Sequence, residues 1–280
     1  MFLSDEQAPN IADLSVVVPV YNEERTLEKL IDRLAAVPGL KEIIIVDDCS
    51  TDRSPAIIET LTEKYPVISS IKLDKNSGKT AAVYRGIAAT SGDIVMIQDA
   101  DLEYDPAEIP SVVAPIRDGF ADVVYGSRFM VKKAARVVYF YHYLGNKALT
   151  FFSNALTNVN LSDLETCYKA FRGDIIRNMR ITSSGFGFEV EVTAKIAKLK
   201  CAMYEVPISY YGRTYEEGKK ITYRDGVAAL WYIIRFNLFC SLNSSFIEIP
   251  ERSPKALHHS GFDIETTSPA NEFLHETERR

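Results

Sequence analysis

The run Asp93-Ile94-Val95-Met96-Ile97-Gln98-Asp99-Ala100-Asp101-Leu102-Glu103 sets an apolar segment directly before three carboxylates. Ile94 to Gln98, apolar but for the last, has the length and partly β-branched composition of a strand buried on both faces of a parallel sheet. In open α/β sheets ligands collect at the carboxyl ends of strands, which puts Asp99, Asp101 and Glu103 in a crevice rather than in the core. Alternation predicts all three on one side of an extended chain. Clustered carboxylates repel one another unless a cation sits among them. Hard oxygen ligands suit Mg²⁺ or Mn²⁺ shared with substrate phosphates.

Working outward, the pattern repeats. Leu14 to Val20 is a short β-branched run, and Tyr21-Asn22-Glu23-Glu24 leads from it into a segment with Leu27, Leu30, Ile31 and Leu34 on one helical face. Pro38-Gly39 ends that helix, and Glu42 to Asp48 makes a second strand closed by two acids. Ser50-Thr51-Asp52 offers helix-capping side chains before Ile57, Ile58 and Leu61, and Val67 to Leu73 reads as a third strand. The βαβαβ alternation implies a parallel sheet. Beyond the acids come a helix to about Gly119, a strand Asp122 to Tyr125 with Gly126-Ser127-Arg128 at its end, a loop into a strand at Leu161 to Arg172, a helix through Val192, Ile196 and Leu199, and a strand within Ala202 to Tyr210.

Two glycine motifs fail their tests. Asn76-Ser77-Gly78-Lys79-Thr80 lacks the glycine a phosphate loop needs five residues earlier, where Leu73 stands, so it reads as a helix start whose lysine can lie near a nucleotide phosphate. Gly185-Phe186-Gly187-Phe188-Glu189 has neither the preceding strand nor the third glycine of a dinucleotide fingerprint.

The chain of 280 residues carries 32 basic and 38 acidic side chains for a net charge of −6, which speaks against duplex nucleic acid as a partner. Cys49, Cys167, Cys201 and Cys240 are widely spaced, so neither a zinc site nor a disulfide framework is expected, and a reducing cytosol suits them. Acids at positions 5 and 6 do not fit the basic region of a signal peptide. Val137 to Leu156 mixes aromatics with Arg136, His142 and Lys147, and Val227 to Leu242 is apolar around Arg235. The latter falls short of the roughly 20 residues needed to span a bilayer, so both suit helices lying on a membrane surface or docked on the core. Residues 1–12 read as a flexible N-terminus, 13–243 as one domain ending in an amphipathic helix, and 244–280 as a disordered tail.

Val17-Val18-Pro19-Val20-Tyr21-Asn22-Glu23, Val46-Asp47-Asp48-Cys49-Ser50-Thr51-Asp52 and Gln98-Asp99-Ala100-Asp101, in that order at successive strand ends, resemble glycosyltransferase family 2. The likeness runs on through Gly126-Ser127-Arg128, Asp163 with Thr166-Cys167-Tyr168-Lys169, and Arg213 with Gly218-Lys219-Lys220. It is closest to the polyprenyl-phosphate branch that includes dolichyl-phosphate mannose synthase. The resemblance implies a GT-A fold, Rossmann-like, with a mainly parallel sheet and helices on both faces. It implies Pro19, Tyr21, Glu23, Asp48, Lys79 and Asp99 around a nucleotide-diphosphate sugar, and Asp99, Asp101 and Glu103 on Mg²⁺ or Mn²⁺. Arg128, Arg136 and Arg213 would meet the phosphate of a polyprenyl acceptor, with Asp101, Arg128 and Asp163 closest to the chemistry.

The chemistry that the resemblance implies is inverting sugar transfer by a peripheral enzyme at the cytoplasmic membrane face. Relatives commonly have glycine where Cys167 stands, and many carry transmembrane helices after the catalytic domain, whereas this sequence has no run long enough. Two other readings fit parts of the pattern: a family 2 transferase acting on a sugar hydroxyl, and a silent scaffold that binds nucleotide sugar or lipid phosphate.

Overall fold

The computed structural model describes residues 14–130, 139–212 and 223–251. Seven strands form one sheet in the order β3-β2-β1-β4-β6-β5-β7. The strands are β1 Leu14–Val20, β2 Leu40–Asp47, β3 Ile68–Lys72, β4 Ile94–Ile97, β5 Val123–Ser127, β6 Lys169–Arg172 and β7 Met203–Pro207. β1, β2, β3 and β4 run parallel, as the alternation predicts, and β7 is parallel to β5. β6 lies antiparallel between β4 and β5, pairing Val95 with Phe171 and Val124 with Ala170. The residues that lead into β6 therefore arrive at the carboxyl ends of β4 and β5, on the side where the acids leave the sheet.

Helices cover both faces. Ile43 and Ile45 join the main core with Leu30, Ile31 and Leu34 of α1 (Leu27–Ala35), while the alternate side chains Ile44 and Val46 pack with Ala82 of α3 (Lys79–Ala89). Gly86 lets α3 sit close: a Cβ there would come within 2.3 Å of Val17. α2 (Ser54–Lys64) flanks β3, and α4 (Ile109–Arg117) lies on β5. α6 (Gly173–Arg177) follows β6 directly. α5 (Phe140–Thr157), α7 (Phe188–Leu199) and α8 (Tyr223–Leu238) pack together through Leu149, Leu164, Val190, Ala229 and Ile233.

Pro19 sits inside β1 and costs no ladder bond. β4 pairs only with Leu14 to Val17, the last bond on that side running from the Gln98 amide to the Val17 carbonyl. The absent N–H of Pro19 faces the open side beyond, towards the crevice.

Residues 244–251, expected within a disordered tail, are among those described, and the first of them pack on the domain. α9 (Leu242–Ser245) is capped by Ser241, Phe246 pairs with Met179, and the Arg180 amide donates to the Ser245 carbonyl. Phe246 is 1% exposed, because its ring completes the core beneath α6 and α7. The N-terminus expected to be flexible, and the end of the chain past 251, lie outside the described residues. Phe246→Ala should cost about 3–5 kcal/mol, read as a fall in the urea midpoint; an unchanged midpoint would return residues 244–251 to the tail.

Candidate active site

The acidic loop does not stay extended. Leu102 takes φ 60°, and Asp101 Oδ1 accepts the Glu103 amide at 3.1 Å, so the chain turns immediately after β4. Glu103, beyond the turn, consequently leaves the line of Asp99 and Asp101. Asp99 accepts from Lys79, whose Nζ lies 3.0 Å from Oδ1 and 3.1 Å from Oδ2. Glu103 accepts the Tyr210 hydroxyl at 2.8 Å. This corrects the single-sided alternation predicted for the run, since a residue at positive φ reverses the pleat.

No three His, Cys, Asp or Glu side chains among the described residues converge as a metal cage. Mg²⁺ and its relatives are commonly held by one or two carboxylates plus substrate phosphates, and Asp99 with Asp101 fits that donor set. Asp99 already faces the Lys79 ammonium, so positive charge at this carboxylate is part of the fold.

The two rejected glycine motifs dock on each other. The Thr80 amide and hydroxyl both donate to the Gly185 carbonyl, at 3.1 and 3.0 Å. Gly78 has φ 86°, and a Cβ there would stand 3.3 Å from Gly185 Cα. This contact seats the start of α7 against the start of α3, and Lys79 meets Glu189 Oε1 at 3.0 Å as well as Asp99. Burial alone would lower the Lys79 pKa, but Asp99 first, with Cys167 and Glu189 after it, outweighs that and holds the ammonium well above the ordinary lysine range. Asp48 closes the same corner from β2, its two oxygens taking the Ser77 and Gly78 amides at 2.7 and 2.8 Å. Glu23 Oε2 takes the Thr26 hydroxyl at 3.0 Å, and Tyr21 lies half-buried at the end of β1.

Behind this lies a buried polar cluster that sequence reasoning missed. Glu165, in the loop before β6, is pushed up to about 7 by burial and then by the charge of Glu189. Glu165 Oε1 and Glu189 Oε2 are both shut from solvent with no hydrogen-bond donor. Lys169 is buried within range of both charges, and it donates to the carbonyls of Leu164, at 2.9 Å, and Thr166. Only the Glu-rich spacing of residues 163–165 and 189–191 hinted at this cluster, and spacing alone cannot bring distant segments together.

At the end of β5, Arg128 is gripped by Asp163: Nε to Oδ2 is 2.6 Å, Nη2 to Oδ1 2.7 Å, and the Arg128 amide adds a third bond at 3.1 Å. Asn146 of α5 donates to the same carboxylate at 3.1 Å. Burial would raise the Asp163 carboxyl, but the Arg128 charge and these bonds hold it below its ordinary range. The guanidinium carbon lies 5.1 Å from the Tyr210 ring centre, whose hydroxyl reaches Glu103, so the acidic loop, Tyr210, Arg128, Asp163 and α5 form one connected chain of contacts. Tyr104 and Tyr168 stack beneath it at 4.8 Å. Arg136, Arg213 and Gly218-Lys219-Lys220 lie outside the described residues. A 270 Å³ cavity lined by α2, β3 and Asp47 contains none of these groups.

Glu165 gives a pH test. A carboxyl raised from 4.5 to about 7 in the folded state stabilises the protein fully below 4.5, and that contribution is lost as pH rises through 7. Glu165→Gln removes this dependence, so its Tm advantage over wild type should widen between pH 4.5 and 7 and stay level above. A constant difference across that range would contradict the buried, acid-paired placement.

Residues 15–180 match the sequence profile described as Glycosyl transferase family 2. A dolichol-phosphate mannosyltransferase from Pyrococcus furiosus is 33% identical over 74% of this chain and 58% of its own length. An undecaprenyl-phosphate 4-deoxy-4-formamido-L-arabinose transferase from Pectobacterium carotovorum is 35% identical over 61% of this chain and 52% of its own. The chain thus spans about half the length of the curated relatives it matches. Among solved structures, a glucosyl-3-phosphoglycerate synthase from Mycobacterium tuberculosis, in complex with Mn²⁺, uridine diphosphate and phosphoglyceric acid, superposes with a TM-score of 0.64 at 18% identity, over 88% of this chain and 91% of that one. That likeness concerns the fold. With three strand-end motifs in order on a mostly parallel sheet and a family profile over most of that sheet, the chain belongs to glycosyltransferase family 2.

Proposed function

We propose that this protein transfers a sugar from a nucleotide-diphosphate donor to a polyprenyl phosphate, with inversion and with the help of Mg²⁺ or Mn²⁺, at the cytoplasmic face of a membrane. The observation that carries the reading is Arg128, fixed by Asp163 at the end of β5 and linked through Tyr210 to the acidic loop, next to a helix that presents aromatic side chains to solvent. The relatives named for dolichol phosphate and undecaprenyl phosphate support the acceptor class.

The chemistry asks little of a general base. A phosphate monoester carries about −1.5 to −2 charges near pH 7 and is already a nucleophile. The protein's task is to bring two phosphate-bearing molecules into one crevice, and a planar, permanently charged guanidinium suits the incoming phosphate. Asp163, fully engaged and held ionised, acts as a positioning residue that aims Arg128. Asp99 and Asp101 would hold the cation, whose chemistry is to stabilise negative charge on the departing nucleoside diphosphate. Lys79 adds a second positive charge beside Asp99, and Asp48 fixes the backbone turn that places it.

Transfer to a sugar hydroxyl is the second reading, favoured by one feature: such an acceptor needs a base, and Glu165, pushed up to about 7, has the right basicity.

The lipid side rests on α5 and α8. Phe140, Tyr141 and Phe151 of α5 are exposed, as are Val227, Trp231 and Leu238 of α8 and Phe239 beyond it. No helix among the described residues is long and apolar enough to cross a membrane. The exposed aromatic and apolar side chains, with Arg235 on α8, suit reversible binding to an anionic surface.

Two measurements test this. Transfer of radiolabelled sugar to polyprenyl phosphate should vanish in EDTA and fall about 10²–10³-fold in Arg128→Ala. Asp163→Asn should raise the acceptor KM without altering the pH profile; loss of the acidic limb would make Asp163 a proton acceptor, and normal transfer by Arg128→Ala would remove the phosphate acceptor. Separately, the protein should sediment with anionic liposomes at low salt and release at high salt. Absence of binding at any salt would leave the aromatic face without a lipid role.

A further inference from the structure

The loop that grips Arg128 also holds a second cation. Lys147 of α5 donates to the Ser162 carbonyl at 2.8 Å, one residue before the Asp163 carboxylate that takes Arg128. Its Nζ lies 4.4 Å from the Phe129 ring centre, and the Arg128 guanidinium carbon lies 5.8 Å from the same centre. One aromatic ring just past β5 thus meets both cations. Ser162 is fixed in turn: its amide and hydroxyl donate to Glu205 of β7 at 2.9 Å, and its hydroxyl lies 2.6 Å from that of Ser127, the residue before Arg128. Two consecutive residues of one fixed loop therefore aim two cations, through a carbonyl and a carboxylate.

The two cations differ in what they have left to give. Both oxygens of the buried Asp163 bind the Arg128 side chain, so that pair is close to neutral as a unit. A phosphate monoester brings about −1.5 to −2 charges near pH 7, more than a guanidinium already balanced by its own carboxylate can meet. Among the described residues Lys147 forms no ion pair, and Glu205, which shares Ser162 with it, spends both oxygens on the serine amide. An ammonium has three hydrogens, and the Ser162 carbonyl takes one. The Lys147 side chain is half-buried and its ammonium is turned to the loop, whereas Tyr141 and Phe151 of the same helix stand in solvent.

We infer that Lys147 is a binding residue for the acceptor phosphate, supplying beside Arg128 the positive charge that Asp163 offsets there. This rests on the reading of the protein as a polyprenyl-phosphate transferase. The two side chains divide the work: the planar fork of Arg128 orients the phosphate, and Lys147, a compact point charge, neutralises it. Because Ser162 already holds the ammonium, little ordering remains to be done when the phosphate arrives.

The test is calorimetric, on the full chain in a neutral detergent, with Mg²⁺, UDP and GDP present throughout. Farnesyl phosphate and farnesol are titrated into wild type and Lys147→Gln, and the ratio of their affinities reads recognition of the phosphate alone. Wild type should prefer farnesyl phosphate, and in Lys147→Gln that preference should fall about tenfold or more, as loss of a hydrogen bond between charged groups warrants. Lys147→Met, which keeps the aliphatic stem, should show the same fall and serves if Lys147→Gln does not fold. Both variants should still sediment with phosphatidylglycerol liposomes as wild type does. An unchanged ratio overturns the inference while leaving the transferase reading in place: equal weakening of both ligands makes Lys147 only a tie between α5 and the loop, and lost liposome binding makes it a contact for lipid headgroups. A wild type that binds farnesyl phosphate no more tightly than farnesol overturns the phosphate acceptor itself, and the role of Lys147 with it.

Discussion

The site depends on one ammonium ion. Lys79 lies between Asp99, at the end of β4, and Glu189, at the start of α7, and joins parts of the chain that are 110 residues apart. Removing one partner of a buried ion pair typically costs 3–5 kcal/mol, because the other charge stays buried and unpaired. Neither carboxylate is therefore free to move, and the acidic loop inherits its position from them. Gly78 and Gly185 make the approach possible, since a side chain at Gly78 would meet both a positive φ and the facing backbone.

Electrostatic order follows from the same arrangement. Positive groups, Lys79 and Arg128, stand at the ends of β4 and β5 and are each held by a buried acid, Glu189 and Asp163. Each ion is thus aimed by a partner that does not itself face the crevice. This is the economy expected where two phosphates must be brought together: fixed charges need no reorganisation when substrate arrives. The Tyr210 contact to Arg128 on one side and Glu103 on the other ties the two centres into one unit. A shift of the acidic loop must then be felt at Arg128.

Much of the sheet was legible in residues 14–127. Apolar runs of four to eight residues, broken by Pro-Gly or by helix-capping side chains, fix the central parallel strands β1, β2 and β4 because these are largely buried on both faces and need nothing from distant sequence to be recognised. The acids at their ends, Asp48, Asp99 and Asp101, were legible for the same reason: a strand end in a parallel sheet opens on a crevice whatever follows. Arg128 was found by its place after β5. Phe246 was missed because a single aromatic residue after a polar stretch has no period to announce it, and its burial comes from pairing with Met179 and joining the main core.

What tertiary structure alone decided is who meets whom. The antiparallel insertion of β6 carries Asp163, Glu165 and Cys167 to the ends of strands β4 and β5, and no local pattern in Leu161 to Arg172 specifies strand direction. The two glycine motifs close on each other so that Lys79 meets Glu189, a long-range contact invisible to spacing. The sequence determined which residues stand at strand ends, because backbone periodicity is local. Only the folded chain decided which charges neutralise one another and which oxygens stay unpaired, because Coulomb and hydrogen-bond partners are set by distance in space rather than along the chain.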